Sequence, residues 1–184
     1  MIIYLIGISC VGKTTIGKML ARKIKFNFFD LDEEVEKHYQ KSIEILQNES
    51  FTMNEFRKKA SVVLDRILTN TNNSVIAGTP SGLKYSYWKV IKKHKSKNKI
   101  IAIHIHDTPE NVLNRLTFYD KNSKPLVVKM DKHKRNRYLK EIKADYDYFK
   151  SSYERADLQI NIENVKLEDV PVFIINKLTL LSCN

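Results

Sequence analysis

Short apolar runs alternate along the chain with stretches whose apolar positions recur every three to four residues. The runs predict strands at Met1 to Ile6, Phe26 to Asp30, Ser74 to Ala77, Lys99 to His106 and Leu158 to Ile162. Their alternation with helix-like stretches along the whole chain is the pattern of a parallel sheet covered by helices on both faces. Between them, Ile16, Leu20 and Ile24 stand four residues apart within a helix over Thr14 to Ile24. Thr52-Met53-Asn54-Glu55 is a capping box that opens a helix through Leu68. Thr108-Pro109-Glu110 starts another, with proline at the first helical position. A strong helical stretch runs from Arg135 to about Tyr153. Before it, Asp120 to Lys134 is polar, Lys-rich and interrupted by Pro125, which predicts a mobile lid over about residues 118–134. No linker-like shift, repeat or low-complexity tract divides the chain. The expectation is one domain over residues 1–184, an α/β fold with a five-stranded parallel sheet flanked by helices.

Composition narrows this picture. A chain of 184 residues with 42% hydrophobic positions can bury a core, so intrinsic disorder is excluded. Cys10 and Cys183 stand at opposite ends and form no disulfide framework, which points to a reducing, cytoplasmic setting. No apolar run approaches the roughly 20 residues of a membrane span. The first apolar stretch lacks the basic flank and cleavage site of a signal peptide and reads as a strand. The net charge of +11 suits nucleic acid, a phosphate-rich small ligand or a Lys-rich proteome alike.

The chemistry enters at Gly7-Ile8-Ser9-Cys10-Val11-Gly12-Lys13-Thr14, which fits G-x-x-x-x-G-K-[ST] between a predicted strand and a predicted helix. The glycines let backbone N–H groups turn toward a polyphosphate, and the helix N-terminus adds positive potential. Lys13 can span the terminal phosphates and the Thr14 hydroxyl can ligate Mg²⁺. The nucleotide-binding residues predicted are Gly7, Ser9, Cys10, Val11, Gly12, Lys13, Thr14 and Thr15, with ATP and Mg²⁺ as the ligands.

A second cluster, Phe29-Asp30-Leu31-Asp32, falls at the carboxyl end of the second strand, where ligands gather in open α/β sheets. Asp30 can hold the Mg²⁺ water shell. If the strand persists, Asp32 points the same way and can take a proton from an acceptor hydroxyl. The plainer alternative is that either aspartate N-caps a helix starting at Glu33.

These pieces, followed by Lys41-Ser42-Ile43, Phe56-Arg57 and a late Tyr153-Glu154-Arg155-Ala156-Asp157, resemble the shikimate kinase family in order and spacing. The resemblance is strongest in the first 70 residues. It implies a P-loop NTPase fold of the nucleoside monophosphate kinase type. It also implies that Asp32 and Arg57 bind the hydroxyls and carboxylate of the acceptor and that Asp30 helps with Mg²⁺. The chain departs from the family pattern on the acceptor side. Three consecutive glycines after the third strand become Gly78-Thr79-Pro80-Ser81-Gly82, and proline has no N–H to donate. The glutamate three residues after Arg57 is Ala60. The lid arginine is Lys124, and the late substrate-binding arginine is at best Lys150; lysine keeps the charge and loses the bidentate fork.

Other candidates have plain alternatives. Arg57 on a helix face is ordinarily a solvated charge, and Arg115 stands near the adenine-stacking arginine of the family at looser spacing. Lys84 to Lys99 holds seven lysines and no acid among Tyr85, Tyr87 and Trp88; it suits a nucleic-acid surface or, the preferred reading, an amphipathic helix burying Trp88 and Ile91. His104 and His106 alternate on a strand without partners at zinc spacing. Cys10, at a helix start, is a candidate for a lowered pKa, although its simplest role is structural.

The function expected is a monomeric, Mg²⁺-dependent kinase that phosphorylates a hydroxyl of a small polar acid, with shikimate the leading acceptor. Lys13, Asp32 and Lys124 are its catalytic residues, Thr14 and Asp30 its metal ligands. Asp32, Arg57, Gly78, Gly82 and Lys150 bind the acceptor, and no membrane or nucleic-acid partner is expected. The runners-up are a kinase for another small acceptor and a nucleotide-binding regulatory or nucleic-acid-associated protein with a decayed lid.

Overall fold

The computed structural model describes residues 1–119, 125–126 and 130–182. The first half runs β1 (Ile2–Ile6), α1 (Lys13–Ile24), β2 (Asn27–Asp30), α2 (Leu31–Tyr39), α3 (Ile43–Asn48), α4 (Met53–Asn70) and β3 (Ser74–Ala77). The second half runs α5 (Ser86–Lys95), β4 (Ile100–His106), α6 (Pro109–Asn114), β5 (Phe118–Tyr119), β6 (Pro125–Leu126), α7 (Lys132–Tyr153), β7 (Leu158–Asn161) and α8 (Val170–Ser182).

Five strands form one parallel sheet in the order β2-β3-β1-β4-β7. All five residues of β1 are buried, as its unbroken apolar run requires when helices cover both faces. From β1 the chain goes to the β2 and β3 side, then crosses to β4 on the other. The crevice where such a sheet binds ligands therefore opens at the carboxyl end of β1. The helices pack as their apolar spacing dictates: Ile16 and Leu20 of α1 and Val63, Leu64 and Leu68 of α4 are buried.

Each of the five strands lies within one residue of its expected bounds. Thr52 caps α4, its hydroxyl accepting from the Glu55 N–H at 3.2 Å, and Glu55 reaches back to the N–H of Phe51, one residue before the cap.

Three expectations are corrected. The polar stretch before α7 is shorter, because Asp131 caps the helix by accepting from the Lys134 N–H at 2.7 Å and Lys132 to Lys134 are helical. That stretch also contributes a two-stranded antiparallel pair, β5 with β6, beyond the five strands expected; Lys124 lies outside the described residues. In α5 the buried face is Tyr87, Ile91 and His94, spaced four and three apart, while Trp88 is only half-buried. The helix is amphipathic as preferred: Lys93 pairs with Asp65 at 2.9 Å and Lys95 with Asp157 at 2.6 Å. No described helix is long and apolar enough to cross a membrane.

Candidate active site

The loop from β1 to α1 forms a cradle of left-handed backbone. Gly7 has φ +148°, Cys10 +60° and Gly12 +105°. A Cβ on Gly7 would stand 2.5 Å from the Ile105 carbonyl oxygen of β4, so glycine is required there by close approach as well as by φ. Val11 is anchored in the core, while Ser9 and Cys10 face outward. Lys13 folds back over the cradle, its Nζ donating to the carbonyls of Gly7 and Ile8, each at 2.9 Å. Burial lowers its pKa to about 8 against the opposing pull of Asp32, Asp30 and Cys10. The Cys10 thiol moves opposite to the sequence expectation: burial pushes it up more than Lys13 draws it down.

A cleft of about 620 Å³ opens beside this loop, lined by Cys10, Gly12, Lys13, Thr14, Thr15 and Arg115. Arg115 therefore reaches the same cleft as the P-loop. It is held there by an ion pair with Asp107, which is fully buried and also accepts from the Thr108 N–H and the Asn111 amide at 2.8 Å. Sequence reasoning missed Asp107, whose place after β4 is a signal of its own.

The strand β2 stops at Asp30, as expected, so the condition under which Asp32 would extend it and point the same way is not met. Asp30 is the N-cap of α2, which begins at Leu31 rather than Glu33. One carboxylate oxygen accepts from the Asp32 N–H at 3.1 Å and the other from the Thr14 hydroxyl at 2.6 Å. Capping and the link to the P-loop are thus the same residue's two edges. A hydroxyl and a carboxylate side by side at the start of α1 are hard oxygen donors of the kind Mg²⁺ takes, so the residues present fit that ion. Asp32 sits in the first turn of α2 near both Asp30 and Lys13. Burial, with the charge of Asp30, raises its pKa to about 6.

Arg57, expected on the acceptor side, is only 5% exposed, which corrects the solvated-charge alternative. Its Nε donates to the Ser81 hydroxyl at 2.9 Å and one terminal nitrogen to Asn54 Oδ1 at 3.1 Å. These two neutral groups take over the orientation that Ala60 cannot provide. Neither was foreseen, although Asn54 stands one helical turn before Arg57. Among the described residues Arg57 forms no ion pair with a carboxylate. A buried guanidinium without a counter-charge is costly to maintain, and a ligand anion would relieve it.

The loop after β3 does not offer the two glycines as donors. The Gly78 N–H is given to the Leu5 carbonyl at 2.8 Å and the Gly82 N–H to Thr79 at 3.0 Å, so both are spent inside the fold. The loop is instead clasped from α7. Ser152 donates to the Ser81 carbonyl at 2.8 Å and accepts from the Leu83 N–H at 2.7 Å, and the Tyr153 hydroxyl donates to the Pro80 carbonyl at 2.8 Å. Beneath it lie three buried hydroxyls, those of Tyr4, Thr79 and Tyr87. Thr79 and Tyr87 are neighbours, yet neither completes a hydrogen bond of full geometry. Burial and the nearby Asp32 push both tyrosines far above their ordinary range. Lys150 is not in this group; it lines a separate cleft with His104, His106 and Tyr146.

Comparison with known proteins follows this geometry. A family model described as shikimate kinase matches residues 9–168. The shikimate kinase of Persephonella marina is 34% identical over 165 residues, 88% of each chain, and that of Aquifex aeolicus 31% identical over 176 residues, 95% of this chain and 94% of its own. The crystal structure of the Aquifex aeolicus shikimate kinase superposes with a TM-score of 0.71 at 28% identity, covering 97% and 96% of the two chains. A shikimate kinase from Acinetobacter baumannii in complex with shikimate shares the fold with a TM-score of 0.72 at 22% identity, over 100% of this chain and 94% of its own.

Proposed function

Because the chain belongs to the shikimate kinase family, we propose that it transfers the γ-phosphoryl group of ATP to the 3-hydroxyl of shikimate. The observation that carries this reading is Arg57, a buried cation with neutral partners and no counter-charge, on the same side of the fold as the raised-pKa Asp32.

In this reading Lys13 leaves the Gly7 and Ile8 carbonyls for the phosphates, and the backbone N–H groups of the cradle hold them in line. Thr14 and Asp30 would hold Mg²⁺, which when bound neutralises charge on the β- and γ-phosphates. Asp32 accepts the hydroxyl proton as the acceptor oxygen bonds to the γ-phosphorus and ADP leaves with the broken bond's electrons. A pKa of about 6 suits a base working near neutral pH, because it is mostly ionised there yet still basic. Arg57 anchors the acceptor carboxylate so that the hydroxyl faces Asp32. Arg115 borders the nucleotide.

The test is turnover of shikimate with ATP and Mg²⁺, followed by ADP release and the mass of the phosphorylated product. Shikimate 3-phosphate at a KM within the usual enzyme range of roughly 1 μM to 1 mM is expected. No product at acceptor concentrations about tenfold above that range would overturn the reading.

A further inference from the structure

Arg155 comes close to the loop after β3 but is spent on the Leu83 carbonyl at 3.0 Å, and the fold supplies a different cation. Within the basic stretch that leads into α5, Lys93 and Lys95 are paired with Asp65 and Asp157. Lys84 has no such partner among the described residues. Its ammonium lies 3.3 Å from the centre of the Tyr148 ring, with Phe149 at 5.4 Å and Tyr85 at 5.9 Å. Cation–π contact holds the charge in place and leaves its hydrogen-bonding capacity largely unspent.

Lys84 and Arg57 come together at one phenol. The Tyr148 hydroxyl has both cations beside it, and they draw its pKa below the ordinary tyrosine value. Both are also tied to the same turn, Arg57 from α4 and Lys84 from within it. The Ser81 hydroxyl accepts from Arg57, and the Ser81 carbonyl accepts from the Lys84 N–H at 3.0 Å. Ser152 fixes that turn to α7, the helix that carries Tyr148. The next residue, Tyr85, is held at φ +43°, a left-handed strain that tightly determined functional segments sustain. The result is two positive groups, one a planar fork reaching in from α4 and one a point charge, held at a preorganised turn with a polarised phenol between them. That combination suits a carboxylate, which takes the fork on one edge and the ammonium on the other.

We propose that Lys84 is the second cation of the acceptor-carboxylate site, acting beside Arg57 and positioned by the Tyr148 ring. It takes the place that Lys150 was expected to fill. The inference rests on the acceptor reading above and adds to it the residue that restores affinity after the loss of an arginine.

The experiment compares wild type with Lys84→Gln, Lys84→Arg and, as a control on the outer face of α5, Lys92→Gln, measuring KM for shikimate, KM for ATP and kcat. Lys84→Gln is expected to raise the shikimate KM by roughly tenfold or more while kcat and the ATP KM stay within about twofold, and Lys84→Arg to recover most of the loss. Lys92→Gln, which alters net charge equally, is expected to leave all three unchanged. With the carboxamide analogue of shikimate, wild type and Lys84→Gln converge, since the group Lys84 recognises has been removed. A shikimate KM for Lys84→Gln within about twofold of an active wild type overturns the inference and leaves the acceptor reading standing. A wild type that neither turns over nor binds shikimate overturns both.

Discussion

Arg57 on α4 donates to the Ser81 hydroxyl on the loop after β3 at 2.9 Å, so a buried cation from one element is aimed by a neutral group from another. Removing that hydroxyl should loosen the aim without removing the charge. Ser81→Ala is expected to raise the acceptor KM by roughly tenfold, the lower range for a hydrogen bond to a charged group, while the ATP KM holds. Steady-state kinetics with each substrate varied in turn checks this, and an acceptor KM equal to wild type would remove Arg57 from the acceptor site.

Asp32 links activity and stability with opposite signs. Its folded pKa is raised from 3.8 to about 6, so the protonated form is favoured in the fold. The stability this gives is fully present below the unfolded pKa and is lost as pH rises through about 6. Asp32→Asn should therefore melt near wild type at pH 4 and above it at pH 7 to 8, while kcat falls by about 10² or more. Melting curves across pH beside turnover rates test the pair. A variant less stable than wild type at pH 8 would contradict the burial argument.

For Asp30 the two roles separate by choice of substitution. Asparagine is as good an N-cap as aspartate, so Asp30→Asn should keep the unfolding free energy within about 0.5 kcal/mol of wild type yet demand more Mg²⁺ for half-maximal rate. Asp30→Ala should lose the cap as well, a further destabilisation of roughly 1 kcal/mol. Mg²⁺ titrations and urea unfolding of both variants distinguish the outcomes; identical Mg²⁺ dependence in Asp30→Asn and wild type would leave Asp30 a cap alone.

Lys13→Met should abolish turnover and cancel the rise in melting temperature that ATP with Mg²⁺ gives the wild type by binding only the native state. The free protein should not be destabilised, because burial already works against this ammonium and draws its pKa down to about 8. Thermal shift with and without nucleotide reads both effects. Retained turnover would sink the P-loop assignment.

How much of this was legible in the sequence depends on the range of the interaction. The strands and the P-loop are local patterns, a run of apolar residues or two glycines at fixed spacing, and they stand where the sequence put them. Asp30 as both cap and partner of Thr14 needed knowledge that β2 ends one residue before α2 begins. The acceptor site needed contacts across much longer separations: Ser81 with Arg57 is 24 residues apart, and Ser152 with Leu83 is 69. No spacing rule along the chain encodes such pairs. That is why Lys150, taken as the nearest match to the family's late arginine, lines a different cleft, and why Lys84 was read only as one lysine among seven.

The bonds from Lys13 to the Gly7 and Ile8 carbonyls give the P-loop a resident placeholder. The loop is not a bare ring of donors around a naked charge; the ammonium is sheltered by two carbonyls, and both acceptors are satisfied. Arrival of phosphate is then an exchange of partners, oxygen for oxygen, and departure of ADP is the same exchange run backwards. On the proposed reading the turnover cycle would never have to expose an unsolvated lysine, and part of the affinity for phosphate would be returned at the moment the product has to leave.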